Sequence, residues 1–217
     1  MTNFKSFKAI LWDFDGVIMD SMPIRQKGFE LALDTYPKDQ VAQLLAFHHA
    51  NGGLSRYVKF RYFFEVIRKE KCTQQMIDQL CDDFTRLMRK ELVNPSLLIN
   101  DSLDFIRKYY NEIPMHIVSG SDGNELRHLC QSMALTTYFR SIDGSPTPKK
   151  VLVADVLQRC GYRSEDVVLV GDSINDLEAA HANGVRFLGY NNEALKSLGD
   201  GYVEAFRTTS FMKGEAA

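Results

Sequence analysis

Two aspartates one residue apart, Asp13 and Asp15, stand at the end of an apolar run in Ile10-Leu11-Trp12-Asp13-Phe14-Asp15-Gly16-Val17. A second acidic group, Val170-Gly171-Asp172-Ser173-Ile174-Asn175-Asp176, also follows an apolar run. Asp and Gly form turns, so either segment alone reads as the turn after a strand. The pair reads differently, because strand ends of one parallel sheet lie along one edge. Carboxylates gathered on that edge repel each other unless a cation binds or protons are taken up. Oxygen donors with two or three carboxylates suit Mg²⁺, which keeps part of its water and is commonly shared with phosphate. A phosphate ester is then the expected occupant of the open positions.

Phosphate also needs donors. Ser119 follows Met115-His116-Ile117-Val118 and precedes Gly120. Its hydroxyl and the next backbone N–H groups face the start of a helix, where an anion is favoured, and Gly120 allows close approach. A helix cap is the plain alternative for Ser119, but Ser121 or Asp122 can fill that position. Lys149 and Lys150 follow Gly144-Ser145-Pro146-Thr147-Pro148, a stiff segment that fixes where the first lysine projects. A solvated lysine pair is the plain reading there. A cation is not favoured at a helix start, however, so its placement points to a remote acidic partner, and Lys149 is the favoured residue of the two.

Positioning these groups falls to four short apolar runs, at 8–12, 116–118, 167–170 and 185–188, which predict buried parallel strands. Helical patterns at 124–133, 150–160 and 174–183 lie between the later runs, the last closed by Gly184. The alternation predicts an α/β fold, a doubly wound parallel sheet with a Rossmann-like core. Residues 23–93 break the alternation with amphipathic helical stretches only, at 24–35, 40–50, 55–69 and 73–92. The predicted organisation is a catalytic core of residues 1–21 and 95–217 with an all-helical cap domain, 22–94. An insertion at that point projects from the carboxyl edge of the sheet and can act as a lid. Residues from about Thr208 read as a loose tail.

The chain of 217 residues, 45% hydrophobic and 25% charged, is long enough for one full domain with a smaller insertion and is not a disordered composition. A formal net charge of -2 leaves no global field for nucleic acid or an anionic membrane, and a small soluble partner is expected instead. With no apolar signal core and no long apolar span, a cytoplasmic protein is expected, as monomer or homodimer. Cys72, Cys81, Cys130 and Cys160 lack Cys-x-x-Cys spacing and read as reduced thiols. His48 and His49 are adjacent and do not face each other on a helix, which speaks against zinc.

The segments Asp13-Phe14-Asp15-Gly16-Val17, Val118-Ser119-Gly120, Lys149 and Gly171-Asp172-Ser173-Ile174-Asn175-Asp176 resemble, in this order, the four motifs of the haloacid dehalogenase-like superfamily. The resemblance covers nearly the whole chain and is to the branch with a helical cap after the first motif. It implies that Asp13 is the nucleophile that accepts the phosphoryl group and that Asp15 is the general acid and base. It further implies Asp13, the backbone carbonyl of Asp15 and Asp172 as Mg²⁺ ligands, with Asp176 orienting metal-bound water or Lys149. Ser119 and Lys149 then hold the transferring oxygens. Many relatives carry Lys-Pro at the third motif, whereas here the prolines precede Lys149.

Asp15 speaks against a dehalogenase or phosphonate hydrolase, so the resemblance implies a phosphatase of a small phosphorylated metabolite, a sugar phosphate or a phosphoglycolate-like ester. A phosphosugar mutase is the alternative, although mutases of this branch place a His where this chain has Arg25. A phosphometabolite-binding protein without turnover is the third reading, and it has no need of the Asp13 and Asp15 pair. Substrate choice is assigned to the cap. In Asn51-Gly52-Gly53-Leu54-Ser55-Arg56 a glycine loop opens a helix with Arg56, which either binds a carboxylate or hydroxyl of the substrate or is an exposed turn residue. Arg25 joins it as a candidate substrate contact. Tyr57, Phe60, Tyr62, Phe63 and Phe64 read as cap core.

Overall fold

The computed structural model describes residues 4–209, and the loose tail expected from about Thr208 lies outside them beyond Thr209. Six parallel strands form one sheet: β1 (Ala9–Trp12), β2 (Met115–Asp122), β3 (Ser141–Ser145), β4 (Val167–Gly171), β5 (Arg186–Tyr190) and β6 (Tyr202–Val203). Their order is β3-β2-β1-β4-β5-β6, so the direction of winding reverses between β1 and β4. Open α/β sheets hold their ligands beyond the carboxyl ends of the strands at such a point.

The register assigns the two faces. Ile10 pairs with Val168 and Leu11 with Leu169, so alternate residues of neighbouring strands share a side. Ile10, Trp12, Ile117, Val168 and Val170 enter one core. Ala9, Leu11, Val118, Val167 and Leu169 enter the other. Helices α5 (Asn100–Tyr109) and α6 (Gly123–Ser132) cover the first, and α7 (Lys149–Cys160) and α8 (Ile174–His181) cover the second. Every residue of β1 is fully buried, which is why the central strand reads as an uninterrupted apolar run.

Four helices separate β1 from α5: α1 (Met22–Ala32), α2 (Lys38–Ala50), α3 (Arg56–Tyr62) and α4 (Gln74–Leu92). A π-helical turn, Phe63–Ile67, prolongs α3. Ser55 and Thr73 cap α3 and α4 through their hydroxyls. Phe29, Phe60 and Phe84 meet at ring-centroid distances of 4.9 to 6.3 Å and form an aromatic centre between α1, α3 and α4.

Three elements lacked a sequence signal. β3 and β6 join the four expected strands, but β3 reads Ser-Ile-Asp-Gly-Ser because it is a half-buried edge, and β6 has only two residues. α5 buries Leu103, Phe105 and Ile106 although no apolar run marks it. All four cysteines are free, with Cys81 and Cys130 buried and Cys160 exposed. Among the described residues no helix is long and apolar enough to cross a membrane.

Candidate active site

Asp13 is the first residue beyond β1, and its backbone N–H donates to Val170 O of β4 at 2.9 Å. Asp172 follows β4, and Asp176 stands in the first turn of α8. One carboxylate oxygen from each of the three lies within 4.8 Å of the others, which places the two acidic motifs at one edge of the sheet. Gly16 makes room for this cluster. Its φ is +78°, and a Cβ there would stand 1.9 Å from Asp172 Oδ2. Two asparagines after β5 brace the loops from outside: Asn191 Nδ2 donates to Gly16 O at 3.0 Å, and Asn192 Nδ2 to Asp172 O at 2.7 Å.

Lys149 lies within the cluster. Its Nζ donates to Asp13 Oδ1 at 2.7 Å and to Asp176 Oδ1, whereas Lys150 is exposed. Asp176 is fixed on its other side by a capping box, in which Oδ2 accepts from Ser173 N–H at 3.0 Å and from the Ser173 hydroxyl at 2.7 Å. Burial works against the Lys149 charge, but Asp13 and Asp176 hold the ammonium above its ordinary range. Burial, with Asp176 beside it, pushes the Asp13 carboxyl up to about 7 against the pull of Lys149. Burial and the neighbouring Asp13 and Asp176 raise Asp172 well above the usual carboxylate range.

The Asp15 side chain stands apart from this cluster, so its carboxylate does not join the other three acids. Oδ1 accepts from Arg25 Nε at 2.7 Å and from the Ser21 hydroxyl, and Oδ2 accepts from the Ser121 hydroxyl. Burial alone would raise its pKa; Arg25 and the two serines outweigh burial and hold the carboxyl below its ordinary value. Ser119, within β2, is buried, and its Oγ accepts from Ser121 N–H at 3.1 Å. β2 is irregular here: Val118 to Asp122 is set against Asp143 to Ser145 of β3, and the extra residues turn Ser119, Gly120 and Ser121 over the sheet edge. Asp122 is the cap of α6, accepting from Asn124 N–H and Glu125 N–H.

The inserted helices close over this edge. A Cβ on Gly120 would stand 2.2 Å from Gly53 O, so the loop before α3 rests directly on the end of β2. Arg25 and Arg56 both reach Glu125 of α6 at 2.9 Å, and the Tyr57 hydroxyl donates to Asp122 Oδ2 at 2.9 Å. Arg56 is therefore buried, not an exposed turn residue, and its guanidinium lies 5.1 Å from the centroid of the Phe84 ring. Arg25 is committed to Asp15 and Glu125 through Nε and Nη1. A narrow, partly open cavity, about 30 Å³, runs from Asp13, Asp15 and Ser119 to Arg25, Arg56, Lys59 and His48.

The sequence offers Ser121 only as a candidate helix cap, and it singles out neither Ser21, Glu125 and Lys59 nor the role of His48. Glu125, three residues after the Asp122 cap, carries the one local signal, an acid in the first turn of α6. For Lys59 there was only its helical spacing from Arg56. Its Nζ donates to His48 Nδ1 at 2.9 Å and to Gly52 O at 3.0 Å. Burial, with Arg25 nearby, lowers the Lys59 ammonium to about 7, and burial beside Lys59 lowers His48 to about 3.

A doubly wound sheet with aspartates and a lysine gathered at its switch point is the arrangement of an α/β fold with its ligand site at the carboxyl edge. The chain belongs to the haloacid dehalogenase-like hydrolase family, whose model matches residues 10–190. It is 24% identical over 199 residues to a phosphoglycolate phosphatase of Aliivibrio fischeri, covering 87% of this chain and 88% of that one. It is 23% identical over 202 residues to a phosphorylated carbohydrates phosphatase of Thermotoga maritima, covering 89% and 88%. Its fold matches that of CbbY from Rhodobacter sphaeroides in complex with phosphate, with a TM-score of 0.75 at 16% identity over 93% of this chain and 96% of that one.

Proposed function

We propose that this protein is a Mg²⁺-dependent, cytoplasmic phosphatase that hydrolyses a small phosphorylated metabolite through an aspartyl-phosphate on Asp13, with residues 22–94 as its cap domain. The observation that carries this reading is the acid cluster around Lys149. Three carboxylates against one ammonium sum to a charge of about -2 when all are ionised, and at a buried site of oxygen donors one divalent cation would offset the repulsion that otherwise raises Asp13 and Asp172. Asp13 and Asp172, with the Asp15 backbone carbonyl, are its proposed ligands, and Asp176 holds Lys149. Mg²⁺ bound there supplies charge neutralisation for the phosphoryl oxygens.

The chain's own groups perform the rest. Lys149 fixes Asp13 Oδ1 and leaves Oδ2 to attack phosphorus, so that an Asp13 oxygen–phosphorus bond forms as the ester oxygen–phosphorus bond breaks. Ser119 and Lys149 hold phosphoryl oxygens. Asp15 protonates the departing alkoxide. It then takes a proton from the water that attacks the phosphorus of the aspartyl-phosphate, releasing inorganic phosphate and restoring Asp13. The donors around Asp15 favour its ionised form, so the acid half of its cycle requires Ser21, Ser121 or Arg25 to loosen their hold.

Arg25 favours hydrolysis over the mutase reading. A guanidinium stays protonated throughout and cannot exchange a proton with Asp15, as a histidine at that place can. The placement of Asp13 beside Lys149 favours turnover over simple binding. Phosphate release from a panel of small phosphate esters, phosphoglycolate and sugar phosphates included, tests the reading. Activity is expected with Mg²⁺ and not with excess chelator, and Asp13→Asn is expected to lower it about a thousandfold or more. No release from any ester by the wild-type chain contradicts the phosphatase, and isomerised product from a sugar bisphosphate in place of phosphate favours the mutase.

A further inference from the structure

The catalytic cavity, at about 30 Å³, has room for about two water molecules, too little for an ester with its carbon skeleton. Behind one of its walls lies a second, open cleft of about 220 Å³, lined by Val58, Ser145, Pro146, Pro148 and Lys149. Gly53, Leu54 and Gly120 border both spaces. The loop before α3 is therefore a partition, and its position decides how much room a reacting ester has.

The partition is thin. A Cβ on Gly53 would stand 2.5 Å from Ser173 Oγ, and one on Gly120 would stand 2.2 Å from Gly53 O. Bare backbone thus sits between the start of α8 and β2, with no Gly53 side chain to anchor it. At its N-terminal side the loop is tied to α2: Leu54 N–H donates to Asn51 O at 3.2 Å, and Asn51 Nδ2 to Phe47 O at 3.0 Å.

Lys59 supplies the other tie. Its Nζ donates to Gly52 O at 3.0 Å and to His48 Nδ1 at 2.9 Å, which joins the loop to α3 and α2 at once. Among the described residues, no other side chain from outside the loop hydrogen-bonds Gly52, Gly53 or Leu54. Lys59 is only 3% exposed, and among the described residues no carboxylate pairs with its ammonium. The charge is therefore directed at two neutral acceptors, and a bond from a charged donor is stronger than one between neutral groups.

We propose that Lys59 is a positioning residue that sets specificity: it latches the Gly52–Leu54 loop through Gly52 O, keeps the catalytic cavity apart from the cleft, and so restricts turnover to esters with small carbon skeletons. The specificity rests on the phosphatase reading above, whereas the latch does not.

Hydrogen exchange tests the latch without substrate. Lys59→Met keeps the apolar stem and removes the donor, so the peptide covering residues 51–55 is expected to exchange about tenfold faster than in wild type, with α4 no faster. Unchanged exchange of that peptide overturns the latch, and so does equal acceleration throughout the inserted helices, which signals lost packing. Ethyl phosphate and 2-phenylethyl phosphate test the specificity, since both release an alkoxide and differ in size. With Mg²⁺ the full chain is expected to favour ethyl phosphate about tenfold or more in kcat/KM, and Lys59→Met to narrow that ratio about fivefold or more. Asn51→Ala unties the loop from α2, leaves Lys59 in place and is expected to shift the ratio the same way, which keeps the proposal falsifiable if Lys59→Met fails to fold. Equal kcat/KM for the two esters in wild type, or an unchanged ratio in either variant, overturns the role in specificity. Hydrolysis of no ester by the wild-type chain refutes the phosphatase instead, and the exchange rates still decide the latch.

Discussion

Glu125 and Asp15 are the residues on which the closed cavity turns. Glu125 is held at 2.9 Å by both Arg25 and Arg56, in a place where its side chain is 2% exposed. Removing its charge leaves two guanidiniums to share the remaining acids, and a buried pair broken on one side is costly. Glu125→Gln is expected to lower stability by about 2–4 kcal/mol in urea unfolding and to raise KM. Asp15 makes a sharper kinetic prediction. An alkoxide leaving group needs its proton and a nitrophenolate does not. Asp15→Asn is therefore expected to slow hydrolysis of alkyl phosphates about a hundredfold more than that of p-nitrophenyl phosphate. Equal losses for the two leaving groups contradict the acid role of Asp15.

At the scale of elements, the site depends on where strands end and on where one loop lands. The acid cluster was legible in the sequence because Asp13 and Asp172 directly follow apolar runs, and adjacent parallel strands must release them on the same edge. Lys149 was legible because the prolines before it fix the start of α7. Arg25, Arg56 and Glu125 meet only when the inserted helices dock on α6. Glu125 is 100 residues from Arg25 and 69 from Arg56, and no local spacing encodes that meeting. β3 and β6 were hidden for a different reason, since half-exposed edge strands need no apolar run. The Gly53–Gly120 contact makes the docking testable. Gly120→Ala places a Cβ against Gly53 O and must push the loop off the end of β2. A fall of kcat/KM of about tenfold or more is expected, with chemical stability within about 1 kcal/mol of wild type. Unchanged kinetics contradict a role for that contact in closing the cavity.

Across the whole molecule, stability and function pull against each other in the inserted helices. Lys59 titrates near 7 in the folded chain, because burial and Arg25 disfavour its charge, and near 10.5 when unfolded. Between those values the unfolded chain binds the extra proton, so stability rises with pH; below about 7 both states are charged and the full penalty of burying the ammonium is present. Lys59→Met removes that penalty. Its stability relative to wild type is expected to be greatest below pH 7 and to decline by up to about 1.4 kcal/mol per pH unit between pH 7 and 10. Melting temperatures of the two chains across that range check this, and a difference independent of pH contradicts it.

Transfer of the phosphoryl group to Asp13, as proposed, is tested most directly by intact mass analysis of acid-quenched enzyme during turnover with Mg²⁺. A species heavier by one phosphoryl group is expected, mapped to the peptide that contains Asp13, and absent from Asp13→Asn. Phosphate release at full rate from Asp13→Asn, or a phosphoryl group mapped to any other residue, contradicts it.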